Sequence, residues 1–208
     1  NDKVYDGSAL TDDGYSMTAG TLATGDKIES VKVEGSQTLV GSSDNVPSAA
    51  VIKHGETDVT ANYAITYVKG TLEVKARPIT ITAVSDEKQY DGSALTNNGY
   101  SLTEGELATG DKIDSAIVTG SQTLVGSSDN VPSAAVIKNG ENDVTSNYAI
   151  TYANGTLKVT DSNIPGSKTH ESGTYKLGDE VTFTITAMNY YDKPATIELK
   201  EQTGVEIA

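Results

Sequence analysis

Acidic side chains on turns are the first residues here that could do chemistry. Asp12, Asp13, Asp44, Glu56 and Asp58 are hard oxygen donors of the kind calcium takes. Eighty-five residues further on, Asn97 and Asn98 stand where Asp12 and Asp13 stand, so a cation site common to both places loses two charges. A shared site could draw only on Asp6/Asp91, Asp26/Asp111, Asp44/Asp129, Glu56/Glu141 or Asp58/Asp143. Each of these has a local role open to it as an Asx turn or short-helix cap. The structural reading is preferred: no metal ligand is assigned, and calcium is the only cofactor weighed.

Nucleophilic catalysis is poorly supplied. A Ser, His, carboxylate triad needs imidazole, yet the histidines are His54 and His170, and Asn139 replaces His54 at the equivalent position. His54 sits on a turn beside Gly55 and reads as a surface imidazole. A glycosidase pair needs two carboxylates with divergent pKa values in a cleft, which solvated acidic turns of a small β module do not offer. No catalytic or cofactor-binding residue is assigned. Eleven tyrosines against one phenylalanine and no tryptophan invite sugar stacking. Tyr5, Tyr63, Tyr67 and their equivalents Tyr90, Tyr148, Tyr152 nonetheless occupy strand-like positions where a buried ring with its hydroxyl at the rim is ordinary. Tyr63 and Tyr67 share a face, expected to be core. Tyr190 and Tyr191 would point to opposite faces of a strand, leaving room for one exposed ring.

The elements that must position these side chains are written twice. Residues 3–74 recur without gaps as 88–159, differing at 16 of 72 positions. A period of this length is too long for a solenoid and fits one small domain per copy. The expected organisation is a first repeat over 1–75, a second over 76–160, a linker over 161–173 and a partial β module over 174–208. Copy two is preceded by ARPITITAVSDE, whereas copy one has only Asn1 and Asp2 before its YDG motif, so the first repeat is expected to lack its opening strand. Asn1 is not an initiator methionine, and the chain reads as an internal fragment.

Net charge of −14 repels nucleic acid and anionic membrane, and both are set aside as partners. No apolar run approaches the roughly 20 residues that span a bilayer. Absence of cysteine removes disulfides and thiolate metal sites.

Short runs of Thr, Val, Ile and Tyr between Gly, Asn and Asp predict an all-β chain. Ile79, Ile81 and Ala83 alternate with Thr80 and Thr82, and Val181, Phe183, Ile185 and Ala187 with Thr182, Thr184 and Thr186, each run giving one apolar and one hydroxyl face. Asn154-Gly155, between YAITYA and TLKV, predicts a tight hairpin; the same two residues with Thr156 form a glycosylation acceptor that the hairpin role explains better. At most one or two helical turns per repeat are expected, in LATGDKI from Leu22 and Leu107 and in DVTxNY from Asp58 and Asp143. Pro47 and Pro132 belong at an edge strand or bulge. The short VKARPITITAV junction favours a semi-rigid rod. An Ig-like sandwich and a β-grasp-like sheet both fit the repeats.

The pattern PITITA, KxYDGSALT, GDKI and DVTxNYAITYxxGTLxV over residues 3–160 resembles the MBG/YDG-type tandem repeats of large bacterial surface proteins. The tail, with Tyr175, Gly178, Asp179, Val181 and Asn189, is similar to the start of Ig-like repeats of bacterial surface proteins. These resemblances imply secretion, wall attachment and adhesion or display, and no catalytic residues. Wall-bound Ig-like domains are often stapled by a Lys to Asn isopeptide bond, for which Lys176 and Asn189 are candidates. The expected function is a monomeric stalk or spacer of an adhesin-like protein, extracellular and attached to the cell wall. The alternatives are weak binding of a host glycoprotein or polysaccharide through avidity, or an accessory region of a secreted glycan-degrading enzyme.

Overall fold

The computed structural model describes residues 1–161, together with the backbone of two short strands beyond them. It is all-β, with one single-turn 3-10 helix in each repeat, Thr60–Asn62 and Thr145–Asn147. The first repeat runs β1 Asp2–Val4, β2 Asp26–Glu34, β3 Gly41–His54, β4 Thr57–Asp58 and β5 Gly70–Lys75. The second runs β6 Arg77–Ala83, β7 Asp86–Gln89, β8 Tyr100–Glu104, β9 Asp111–Thr119, β10 Gly126–Asn139, β11 Asn142–Asp143, β12 Tyr148–Ala153 and β13 Gly155–Thr160. Beyond it, β14 Ser167–His170 pairs antiparallel with β15 Phe183–Thr186. The tail residues Tyr175, Lys176, Asn189, Tyr190 and Tyr191 lie outside the described residues.

Strand order is β1-β5-β3-β2 in the first repeat, with β4 on β3, and β11-β10-β13-β7 in the second, with β9 on β10. β1 pairs in parallel with β5, Lys3 opposite Val74, and β7 pairs in parallel with β13, Lys88 opposite Val159. A third sheet has the order β12-β6-β8.

Alternation decides which face is buried. In β5, Leu72 and Val74 are buried while Thr71, Glu73 and Lys75 are exposed, and β13 repeats this with Leu157 and Val159. In β6, Ile79, Ile81 and Ala83 all turn inward, as their alternation with Thr80 and Thr82 predicts. By backbone proximity the chain forms two compact units, one of Asn1–Ile81, Leu102–Ile117 and Ser133–Tyr152, the other of Thr82–Ser101, Val118–Pro132 and Ala153–Ala208. The core of the second unit is built on Leu95, Leu157 and Val159, with Tyr90 and Val125 against them.

Three local expectations need correcting. LATGDKI is a tight turn, not a helix: Asp26 N donates to Ala23 O at 3.0 Å, and Gly25 and Gly110 take left-handed φ of 90° and 87°, which ends any helical path. Asn154-Gly155 is not a type I′ hairpin, because Gly155 is not left-handed and β12 and β13 belong to different sheets. Pro47 lies inside the long β3, opposite Val33, but past Asn45, where pairing with β5 stops. Only one neighbouring strand therefore needs its backbone there, and the missing N–H is tolerated. Two residues on, Ala49 and its equivalent Ala134 adopt φ of 47°, within a stretch where β2 and β3 slip register.

Candidate functional site

Two kinds of site are built from the residues named above. The first is a carboxylate node. The LATGD turn delivers Asp26 to the start of β2, and the 3-10 turn at Thr60–Asn62 delivers Tyr63 to meet it. The Tyr63 hydroxyl donates to Asp26 Oδ2 and accepts the amide of Ala23 at 3.0 Å. His54, at the end of β3, brings Nδ1 to 2.7 Å from Asp26 Oδ1. The second repeat builds the same node with Asn139 in place of His54: Asn139 Nδ2 donates to Asp111 Oδ1 at 2.7 Å, and Tyr148 donates to Asp111 Oδ2 at 2.6 Å. Both residues set a side-chain nitrogen against the same carboxylate oxygen, a place that a protonated ring nitrogen or an amide can fill as donor.

The electrostatics point away from proton transfer. The hydrogen bond from Tyr63, and then that from His54, hold the Asp26 carboxyl below its ordinary range. Burial, followed by the hydrogen bond to Asp111, pushes the Tyr148 phenol well above its ordinary value. A general base wants the opposite, a carboxylate raised toward neutrality.

Several of the other acidic candidates have local partners. Asp6 accepts from Lys3 Nζ at 2.7 Å and from Ser8 N at 2.8 Å, and Asp91 repeats this with Lys88 and Ser93. Asp58 and Asp143 receive the amides of Thr60 and Thr145, each at 2.9 Å, at the start of the 3-10 turns. Asp12 accepts the amide of Gly14 at 2.8 Å. Asp44, within β3 rather than in a cap, pairs with Lys69 at 2.6 Å, and Asp129 with Asn154 at 3.0 Å. Among the described residues no group of three or more His, Asp or Glu is placed to hold a metal ion.

The second site is a cleft of about 1040 Å³ in the first repeat. Tyr15, Met17, Tyr63, Ile65 and Tyr67 line it from segments 15–19 and 63–68, and Ile28, Val33, Pro47 and Ala50 from β2 and β3. Tyr67 is 41% exposed, so the face expected to be core is open here. Its hydroxyl accepts the amide of Ala50 at 2.8 Å, as Tyr152 does for Ala135, so this tyrosine substitutes for a strand neighbour beside the bulge. Sequence reasoning did not find this cleft; the signal available was the 85-residue offset, at which PITITA has no counterpart ahead of Tyr5.

The repeats also touch within the first compact unit. Tyr5 is buried edge-on against Tyr148, with ring centroids 5.6 Å apart at 79°. Arg77 donates to the carbonyls of Tyr5 at 3.1 Å and Glu106 at 2.6 Å, and Val40 N donates to Asn147 Oδ1 at 2.9 Å. Compared with family models, with curated proteins and with solved structures, the chain matches none.

Proposed function

We propose that the chain is a non-enzymatic part of a bacterial surface protein, its repeats serving as the stalk or spacer of an adhesin-like molecule outside the cell and attached to the wall. The supporting observation is how the two copies differ. His54 becomes Asn139 and Lys69 becomes Asn154, yet the acceptors Asp26/Asp111 and Asp44/Asp129 keep a donor in each case. Drift that removes titratable side chains while retaining a hydrogen-bond skeleton suits a scaffold. The buried Tyr5–Tyr148 pair and the Arg77 bonds suit a stiff junction between copies, and with it a rod of β-grasp-like or Ig-like modules that works as a monomer.

Small-angle scattering tests this reading: an elongated monomer is expected, and a compact particle would sink it. The alternative, weak avidity binding of a polysaccharide or host glycoprotein, draws on the exposed Tyr15 and Tyr67. A glycan array on which the chain binds above background, with the signal lost in Tyr15→Ala, would favour that alternative.

A further inference from the structure

The cleft in the first repeat has a filled counterpart 85 residues away, and the counterpart shows what fills it. Segments 15–19 and 63–68 form no strand in the first repeat; their equivalents are β8 and β12, and β6 runs between those two. The same residue types therefore occur with and without a central strand. Val118, Pro132 and Ala135 are buried where Val33, Pro47 and Ala50 are only half-buried.

Two glycines mark the track of that strand. A Cβ on Gly105 would lie 2.5 Å from the carbonyl of Pro78, while one on Gly20 would meet nothing within 4 Å. A Cβ on Gly155 would lie 2.5 Å from the carbonyl of Ala83 and 2.7 Å from that of Val84; one on Gly70 would meet nothing closer than Asn45 Cβ at 3.7 Å. Asn130 Nδ2 donates to Val84 O at 2.9 Å and Asn97 O at 2.8 Å, whereas Asn45 Nδ2 donates to Asp12 O at 2.8 Å.

We propose that the cleft is a strand-acceptor site whose occupant is an extended segment with the Ile-Thr-Ile-Thr-Ala alternation of β6, its N-terminal end at Gly20 and its C-terminal end at Gly70 in line with Asn1. Its apolar residues face Ile28, Val33 and Ile52, its backbone pairs with 15–19 and 63–68, and its last carbonyl receives the Asn45 amide. This is strand addition into a slot shaped for alternate side chains. The β6 of a second copy is a poor donor, because Ile79, Ile81 and Ala83 are already at 3%, 0% and 2% exposure in their own repeat.

The test uses the whole 208-residue chain, a free peptide of sequence ARPITITAV, and a variant with that peptide fused ahead of Asn1. Backbone amides of 15–19 and 63–68 should gain hydrogen-exchange protection in the fusion, and should shift in NMR spectra on titration with the peptide. A peptide carrying Ile81→Asp should do neither. Gly70→Ala is the critical variant: space at 3.7 Å accepts the methyl in the unliganded chain, so its melting temperature should hold, while peptide affinity should fall on the order of tenfold or more. Unchanged exchange in the fusion overturns the proposal. So does equal protection by the Ile81→Asp peptide, undiminished binding by Gly70→Ala, or protection of these amides that depends on chain concentration alone, which would make a second copy the occupant. None of these results bears on particle shape, so this proposal and the stalk reading fail separately.

Discussion

The Tyr148 hydroxyl is bound on both sides: it donates to Asp111 Oδ2 at 2.6 Å and accepts the amide of Ala108 at 2.9 Å. The carboxylate, the turn before β9 and the strand after the 3-10 helix are thereby joined at one oxygen. In the first repeat Tyr63 makes the same bonds in a half-buried setting.

Removing that oxygen should expose the difference in setting. Tyr148→Phe leaves a buried carboxylate oxygen and a buried amide short of a partner, at a cost of about 1–3 kcal/mol. Tyr63→Phe should cost clearly less, because water reaches Asp26 and Ala23. Urea unfolding of both variants checks this; equal losses would show that burial is not what matters at the node.

The donor exchange at this node makes a near-silent substitution predictable. His54→Asn installs the second repeat's own solution and should change stability by no more than about 0.5 kcal/mol. His54→Ala should be the more damaging of the two, since it leaves Asp26 Oδ1 without its protein donor. Thermal melts of the pair suffice, and a His54→Asn loss matching that of His54→Ala would mean the ring does something an amide cannot.

Asn130 holds together two carbonyls from different segments, Val84 and Asn97. Asn130→Ala strips both of a donor in a site with no access to solvent and should cost about 1–3 kcal/mol. Asn45→Ala, with a single carbonyl to lose, should cost less. The comparison is read from denaturation midpoints at constant m-value.

Acid sensitivity should trace to the YDGS turns. Lys3 beside Asp6, and then the amide and hydroxyl of Ser8, hold that carboxyl well below the usual carboxylate range; Lys88 and Ser93 do the same for Asp91. A depressed folded-state pKa contributes stability that is present above the unfolded value, about 3.9, and is lost as pH falls from there toward the folded one. Stability should therefore decline below about pH 4, and Asp6→Asn with Asp91→Asn should flatten the decline. A slope unchanged in the double variant would assign the acid loss to other groups.

Much of this architecture is legible in the residues, and the exceptions are instructive. Alternation placed Ile79, Ile81 and Ala83 inward because a strand offers only two faces. Asp58 and Asp143 serve their 3-10 turns as short-range side-chain chemistry suggests. Gly155 misled because an Asn-Gly pair has two explanations, a left-handed turn or close backbone approach, and only the path of β6 past it selects the second. LATGDKI misled because Gly25 and Gly110 take left-handed φ and turn the backbone out of any helical path. The carboxylate node was illegible for another reason: Asp26, His54 and Tyr63 are far apart in sequence, and nothing local announces that three turns converge.

The parallel pairing of β1 with β5 and of β7 with β13 has a mechanical consequence. Tension applied at the start of β7 and the end of β13 pulls two neighbouring strands past one another along their length, so the bonds spanning Asp86–Gln89 and Leu157–Thr160 share the load together. An antiparallel terminal pair would instead open one bond at a time. Each parallel pair is thus loaded in shear, and single-molecule extension should show unfolding forces that drop sharply when β7 is interrupted by Lys88→Pro.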